Sequence, residues 1–167
     1  MCEPSTYRAY KCLADLRGCE VLELFPGDFS IKVTRSNPGS LFIKQEGFLP
    51  YLELLRPFAG DVSEGEKRIA GWQLKGLQLA LDLMWRGLAV ARSADELRRI
   101  SPRICVTDRT FPLVRPEVVR TVASFAELAH TGSRSHGCLW ILGIRRKIGV
   151  NAGVKMDRLG GVKMRHG

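Results

Sequence analysis

The chain has 167 residues, 45% of them hydrophobic and 26% charged, with a formal net charge of +9. That length suffices for one domain that buries a core without disulfides or metal, and that composition excludes a disordered chain. No run approaches the roughly eighteen uninterrupted apolar residues of a transmembrane helix.

The start of the chain carries Glu3, Arg8, Lys11 and Asp15 with no apolar run behind them, unlike a secretory signal peptide. Residues 1–19 read as an N-terminal segment, 20–144 as a single globular core and 145–167 as a tail. Residues 20–40 have the marks of a β-hairpin, two short apolar runs around Pro26-Gly27-Asp28 with Ile31 and Val33 alternating against polar neighbours. Asn37-Pro38-Gly39-Ser40 supplies a second turn. Leu49-Pro50 opens a short helix in which Tyr51, Leu54 and Leu55 recur at helical spacing, and Pro57 closes or kinks it.

After a polar loop, the spacing predicts a long helix from about Glu66 to Val90. Ile69, Trp72, Leu77, Leu79, Leu81, Leu83, Met84 and Leu88 make it apolar on more than one face, which predicts a helix buried in the middle of the core. Ser93-Ala94-Asp95-Glu96 is a capping-box pattern that starts a second short helix running to about Ile100. Residues 103–107 (RICVT) and 138–144 (CLWILGI) read as strands. Between them, residues 116–130 fit a helix through Val118, Val122, Phe125 and Ala129, and fit a strand through Val119, Thr121, Ala123 and Phe125 equally well. The fold class is α+β: a small antiparallel sheet on one long buried helix, with a flexible basic tail.

Chemistry-bearing patterns are sparse. Cys2, Cys12, Cys19, Cys105 and Cys138 are odd in number and form no CxxC pair, so they read as reduced thiols of a cytosolic or nuclear protein. His136-x-Cys138 is at most half a metal site, and the simpler reading places His136 at the start of a strand. No phosphate-binding loop, dinucleotide fingerprint, nucleophile elbow or zincin motif occurs. The chain reads as non-enzymatic, without cofactor, metal or small-molecule substrate.

Charge is the informative feature. Residues 1–60 hold seven basic and seven acidic side chains, and residues 61–110 hold nine and seven. Residues 111–167 hold ten basic against three acidic, so +7 of the total lies in the last third. A one-sided positive field attracts nucleic acid or an anionic bilayer, although it can also serve solubility alone. Within the tail, Arg145, Arg146, Lys147, Lys155, Arg158, Lys163 and Arg165 cluster among glycines with only Asp157 against them, and Gly-Val-Lys-Met occurs twice, at 153 and 161. That is the composition of a phosphate-binding arm, or else of a frayed terminus or final edge strand whose repeat is accidental. The Arg145-Arg146-Lys147 triplet also fits part of a nuclear import signal. The tail carries no aromatic residue on which a base could stack, which favours a phosphate backbone or membrane surface over base reading.

With these elements in order, the middle of the chain resembles a rhabdovirus matrix protein. The likeness rests on FSIKVTRSNPGS at 29–40 with the helix FLPYLELLRPF after it, on EGEKRIAGWQLKGLQLAL at 64–81, and on HGCLWIL at 136–142. Animal members carry an N-terminal PPxY-type budding motif that this chain lacks, so it is closer to a plant-infecting member. Residues 51–54 match a YxxL signal formally, but their place on an amphipathic helix reads as core packing. The resemblance implies self-association, binding to viral nucleocapsid protein or RNA, and peripheral attachment to the anionic inner leaflet during assembly and budding. It implies a virion protein found in host cytoplasm or nucleus, with the seven basic tail residues as the contact site. Two other classes fit the residues: a nucleic-acid-binding regulator such as an RNA-silencing suppressor, and a protein adaptor whose basic tail is incidental.

Overall fold

The computed structural model describes residues 3–16, 19–27, 39–62 and 65–145. They form an α+β domain with five antiparallel strands: β1 (Ala9–Tyr10), β2 (Val21–Pro26), β3 (Leu41–Lys44), β4 (Glu66–Ala70) and β5 (Cys138–Arg145), in the order β1-β3-β2-β5-β4. The helices are α1 (Gln45–Ala59), α2 (Gly71–Val90), α3 (Ala94–Ile100) and α4 (Phe111–Thr131). A five-residue π-helical turn, Gly132–His136, joins α4 to β5.

The central strands carry the apolar runs. Leu22 and Leu24 on β2, Leu41 and Ile43 on β3, Ile69 on β4, and Leu139 and Ile141 on β5 share one core with residues of all four helices. Alternate residues point to the other face, where Val21 and Phe42 meet Leu16 in a second, smaller cluster. Phe25 lies opposite Trp140 and Glu23 opposite Leu142 in the β2–β5 ladder. Edge strand β4 exposes Glu66 and Arg68 around the one buried residue Ile69, and such charges discourage edge-to-edge pairing.

Several sequence expectations change. The first arm of the 20–40 hairpin is β2, and the proposed second arm lies outside the described residues. The basic tail beyond Arg145 is likewise outside them. Helix α1 begins at Gln45, ahead of Leu49-Pro50, and runs through Pro57 to Ala59. Pro57 and Glu53 are both exposed, so the carbonyl that proline leaves unpaired faces water, and the chain turns only at Gly60, with φ of 69°. Residues 66–70, expected in the long helix, are strand β4. Gly71, with φ of 56°, makes the break that separates them from α2.

Helix α2 is not buried all round. Leu74, Leu77, Leu81, Met84 and Leu88 are buried, whereas Trp72, Leu79, Leu83 and Val90 stand in solvent. Residues 103–107 keep the alternation of a strand, with Ile104 and Val106 buried, yet form no ladder. Their backbone groups are used elsewhere: the Cys105 N–H donates to the Tyr7 hydroxyl at 2.7 Å, and the Arg98 guanidinium donates to the Val106 carbonyl at 2.6 Å. The ambiguous 116–130 stretch is helical. The α3 cap is as expected, with Glu96 N–H donating to Ser93 Oγ at 3.2 Å. The 138–144 strand is β5. Cys105 is disulfide-bonded, which corrects the reading of every cysteine as a reduced thiol, while Cys12, Cys19 and Cys138 are free.

Candidate functional site

Of the seven basic residues singled out by the sequence, only Arg145 falls among the described residues. It ends β5, with its backbone opposite Val21. Arg146, Lys147, Lys155, Arg158, Lys163 and Arg165 lie outside them. The tail therefore enters as sequence chemistry attached to the end of a central strand.

The most developed polar arrangement among the described residues anchors the N-terminal segment to α4. Glu117 is nearly buried and accepts two hydrogen bonds from Arg8, Nε to Oε2 at 3.1 Å and a terminal nitrogen to Oε1 at 3.0 Å, with Arg120 adding a third at 3.1 Å. One turn on, the Thr121 hydroxyl donates to the Tyr7 carbonyl at 2.6 Å and accepts from the Ala9 N–H at 3.0 Å. Fork-shaped guanidinium groups suit this two-point contact. The Arg8 hydrogen bond lowers the Glu117 pKa below its ordinary value, outweighing the burial that raises it. Because the folded value is depressed, the stabilisation is complete above the unfolded carboxylate pKa and is lost as pH falls through the folded one. Glu117→Gln is expected to cost about 1 kcal/mol at pH 7, with a gap to wild type that begins to narrow as pH falls below about 4 in urea titrations; a gap independent of pH would contradict this account.

Chemistry-bearing side chains elsewhere are absorbed into structure. The Cys138 thiol is buried and donates to the Gly27 carbonyl at 3.2 Å, and the His136 ring lies against the same glycine, 3.5 Å from where a Cβ would stand. The pair therefore braces a turn. No group of three His, Cys, Asp or Glu side chains converges among the described residues. Tyr51 of the YxxL match is fully buried, with its ring 5.8 Å from Phe48 and 5.8 Å from Phe125, as core packing requires. A cleft of about 650 Å³ between the N-terminal segment and α1 is lined by Tyr7, Glu20, Lys44, Glu46 and Arg103, so its charges are mixed.

The surface that sequence reasoning missed is the outer face of α2. Trp72, Leu79, Leu83 and Val90 are exposed there, beside an apolar groove of about 520 Å³ between α1 and α2. Their spacing of seven, four and seven residues was a legible signal, hidden because the same helix also carries its buried face. No described helix is long and apolar enough to cross a membrane. No known protein family, curated protein or solved structure matches the chain.

Proposed function

We propose that this chain is a non-enzymatic structural protein of matrix type, which binds an anionic surface through its basic C-terminal residues and links a nucleocapsid to the inner face of a membrane. The observation that carries the reading is the segregation of charge: ten basic against three acidic residues in 111–167, with balanced numbers over the first sixty. Near an anionic leaflet each basic residue contributes about 1 kcal/mol, so the six tail residues beyond β5 suffice for peripheral attachment without a lipid anchor. A compact domain ending in a central strand gives such an arm a fixed point of departure.

The test is co-sedimentation of the full chain with phosphatidylserine vesicles and, separately, with short RNA, at about 50 and 300 mM salt. Changing Arg146, Lys147, Lys155, Arg158, Lys163 and Arg165 to glutamine is expected to reduce vesicle binding at least about tenfold at the lower salt. Vesicle binding that survives neutralisation would sink the assignment of these residues. Salt-sensitive binding to RNA with none to vesicles would favour the nucleic-acid-binding regulator, and binding to neither would favour the adaptor.

A further inference from the structure

Helix α2 presents two opposite apolar faces. At about 100° per residue, Leu74, Leu77, Leu81, Met84 and Leu88 form the face turned to the core. Trp72, Leu79, Leu83 and Val90, 74%, 62%, 59% and 73% exposed, fall within about 40° of arc on the other side. Isolated exposed apolar residues are ordinary, but four in one stripe along a five-turn helix are not. With Gly76 and Arg86 the stripe runs 72, 76, 79, 83, 86 and 90, alternating steps of four and three, which is the seam of a coiled coil.

We propose that this seam is the contact between two copies of the chain, paired antiparallel across a two-fold axis at the level of Leu81. The argument for a second copy is self-complementarity. About that axis position i faces position 162 − i, so Trp72 meets Val90, Gly76 meets Arg86 and Leu79 meets Leu83 of the second copy, every time a seam position against a seam position. The largest side chain meets a small one, and the long Arg86 meets the Phe58 edge that covers Gly76, an aromatic surface over which a guanidinium can lie. An isologous interface requires this matching of a patch with itself. The four apolar side chains expose about 500 Å² per copy, so pairing removes about 1,000 Å² from water, the lower bound for a specific interface. The groove beside Leu83, walled by Leu54, Pro57, Phe58 and Ile100, continues the apolar surface beyond the seam. Phe58 covers Gly76 and Ile100 closes against Gly87, so α1 and α3 lie to one side of α2 and the four apolar seam residues stay exposed.

The pairing supplies a surface for the self-association expected of a matrix-type protein, yet it does not depend on the anionic target, and its test contains neither lipid nor RNA. Sedimentation equilibrium of the full chain at about 1 to 100 μM is expected to show a dimer that persists at about 300 mM salt. Leu79→Glu and Leu83→Lys, each at an exposed position, are expected to be monomeric with unchanged far-UV circular dichroism. Mixed one to one, the two variants are expected to regain the dimer, because the antiparallel register sets Glu at 79 against Lys at 83 while leaving the other Leu79–Leu83 contact intact. A wild-type chain that stays monomeric at about 100 μM, or a dimer that dissolves in salt or survives both substitutions, overturns the proposal. Failure of the mixture to re-form dimer overturns the antiparallel register.

Discussion

Replacing Gly47 with alanine is expected to destabilise the fold by about 2–3 kcal/mol, although alanine is the better helix former by about 1 kcal/mol. A Cβ at this buried position on α1 would stand 1.9 Å from the Thr6 carbonyl oxygen, 2.9 Å from its carbon and 3.3 Å from the Tyr7 Cα. These are backbone atoms, so no rotamer change relieves the overlap. Nor can the N-terminal segment move cheaply, because the Tyr7 hydroxyl accepts from Cys105 N–H, its carbonyl accepts from Thr121, and Arg8 is forked onto Glu117. Either α1 shifts from its place in the core or residues 4–10 lift from α4. Urea unfolding measures the loss, and faster proteolysis near the N-terminus distinguishes the second route. Gly87→Ala is the control: its Cβ would meet only the flexible end of Ile100 at 3.3 Å, so its stability should stay within about 1 kcal/mol of wild type. Equal effects at the two glycines would contradict the close approach seen at Gly47.

What could be read from the residues was what depends on neighbours along the chain. The Ser93–Glu96 cap needs four residues in sequence and was legible. The run CLWILGI, almost wholly apolar, marked a strand, which β5 is. What could not be read depends on contacts distant in sequence. Residues 66–70 look like the first turn of a helix because Ile69 falls in step with α2, and only the ladder that places Ile69 opposite Leu139 makes them a strand. Residues 103–107 alternate like a strand but pair with no described strand, and Tyr7, far away in sequence, takes the Cys105 N–H. Helix or strand at 116–130 was decided by packing, since Val118, Val122, Phe125 and Ala129 are all buried together with Val114.

The candidate site divides in the same way. Net charge per segment needs no fold, so the basic last third was visible at once. The outer face of α2 was not, because a helix apolar on two faces looks the same in sequence whether one face or both are covered. If both proposals hold they reinforce each other. Two copies joined through α2 carry two basic arms, and the second arm binds an anionic surface at a high effective concentration once the first is engaged.

Tyr51→Phe is expected to stabilise the protein by about 1–2 kcal/mol, whereas Tyr51→Ala is expected to cost about 3–5 kcal/mol. The ring is fully buried between Phe48 and Phe125, the second contact edge-on at 81°, so truncation leaves a cavity at the meeting of α1 and α4. The hydroxyl contributes with the opposite sign. It is buried without a hydrogen-bond partner among the described residues, so folding strips its water and returns nothing. Burial raises the Tyr51 pKa well above that of a free phenol, and proximity to Tyr7 raises it further. With the folded value raised, Tyr51 leaves stability unchanged below about pH 10; above it the unfolded chain ionises first, and wild-type stability declines. The advantage of the phenylalanine variant should therefore be constant near neutrality and widen above about pH 10 in denaturant titrations. A Tyr51→Phe variant less stable than wild type at pH 7 would mean that the hydroxyl is satisfied in solution, and a constant advantage at high pH would mean that it ionises as easily folded as unfolded.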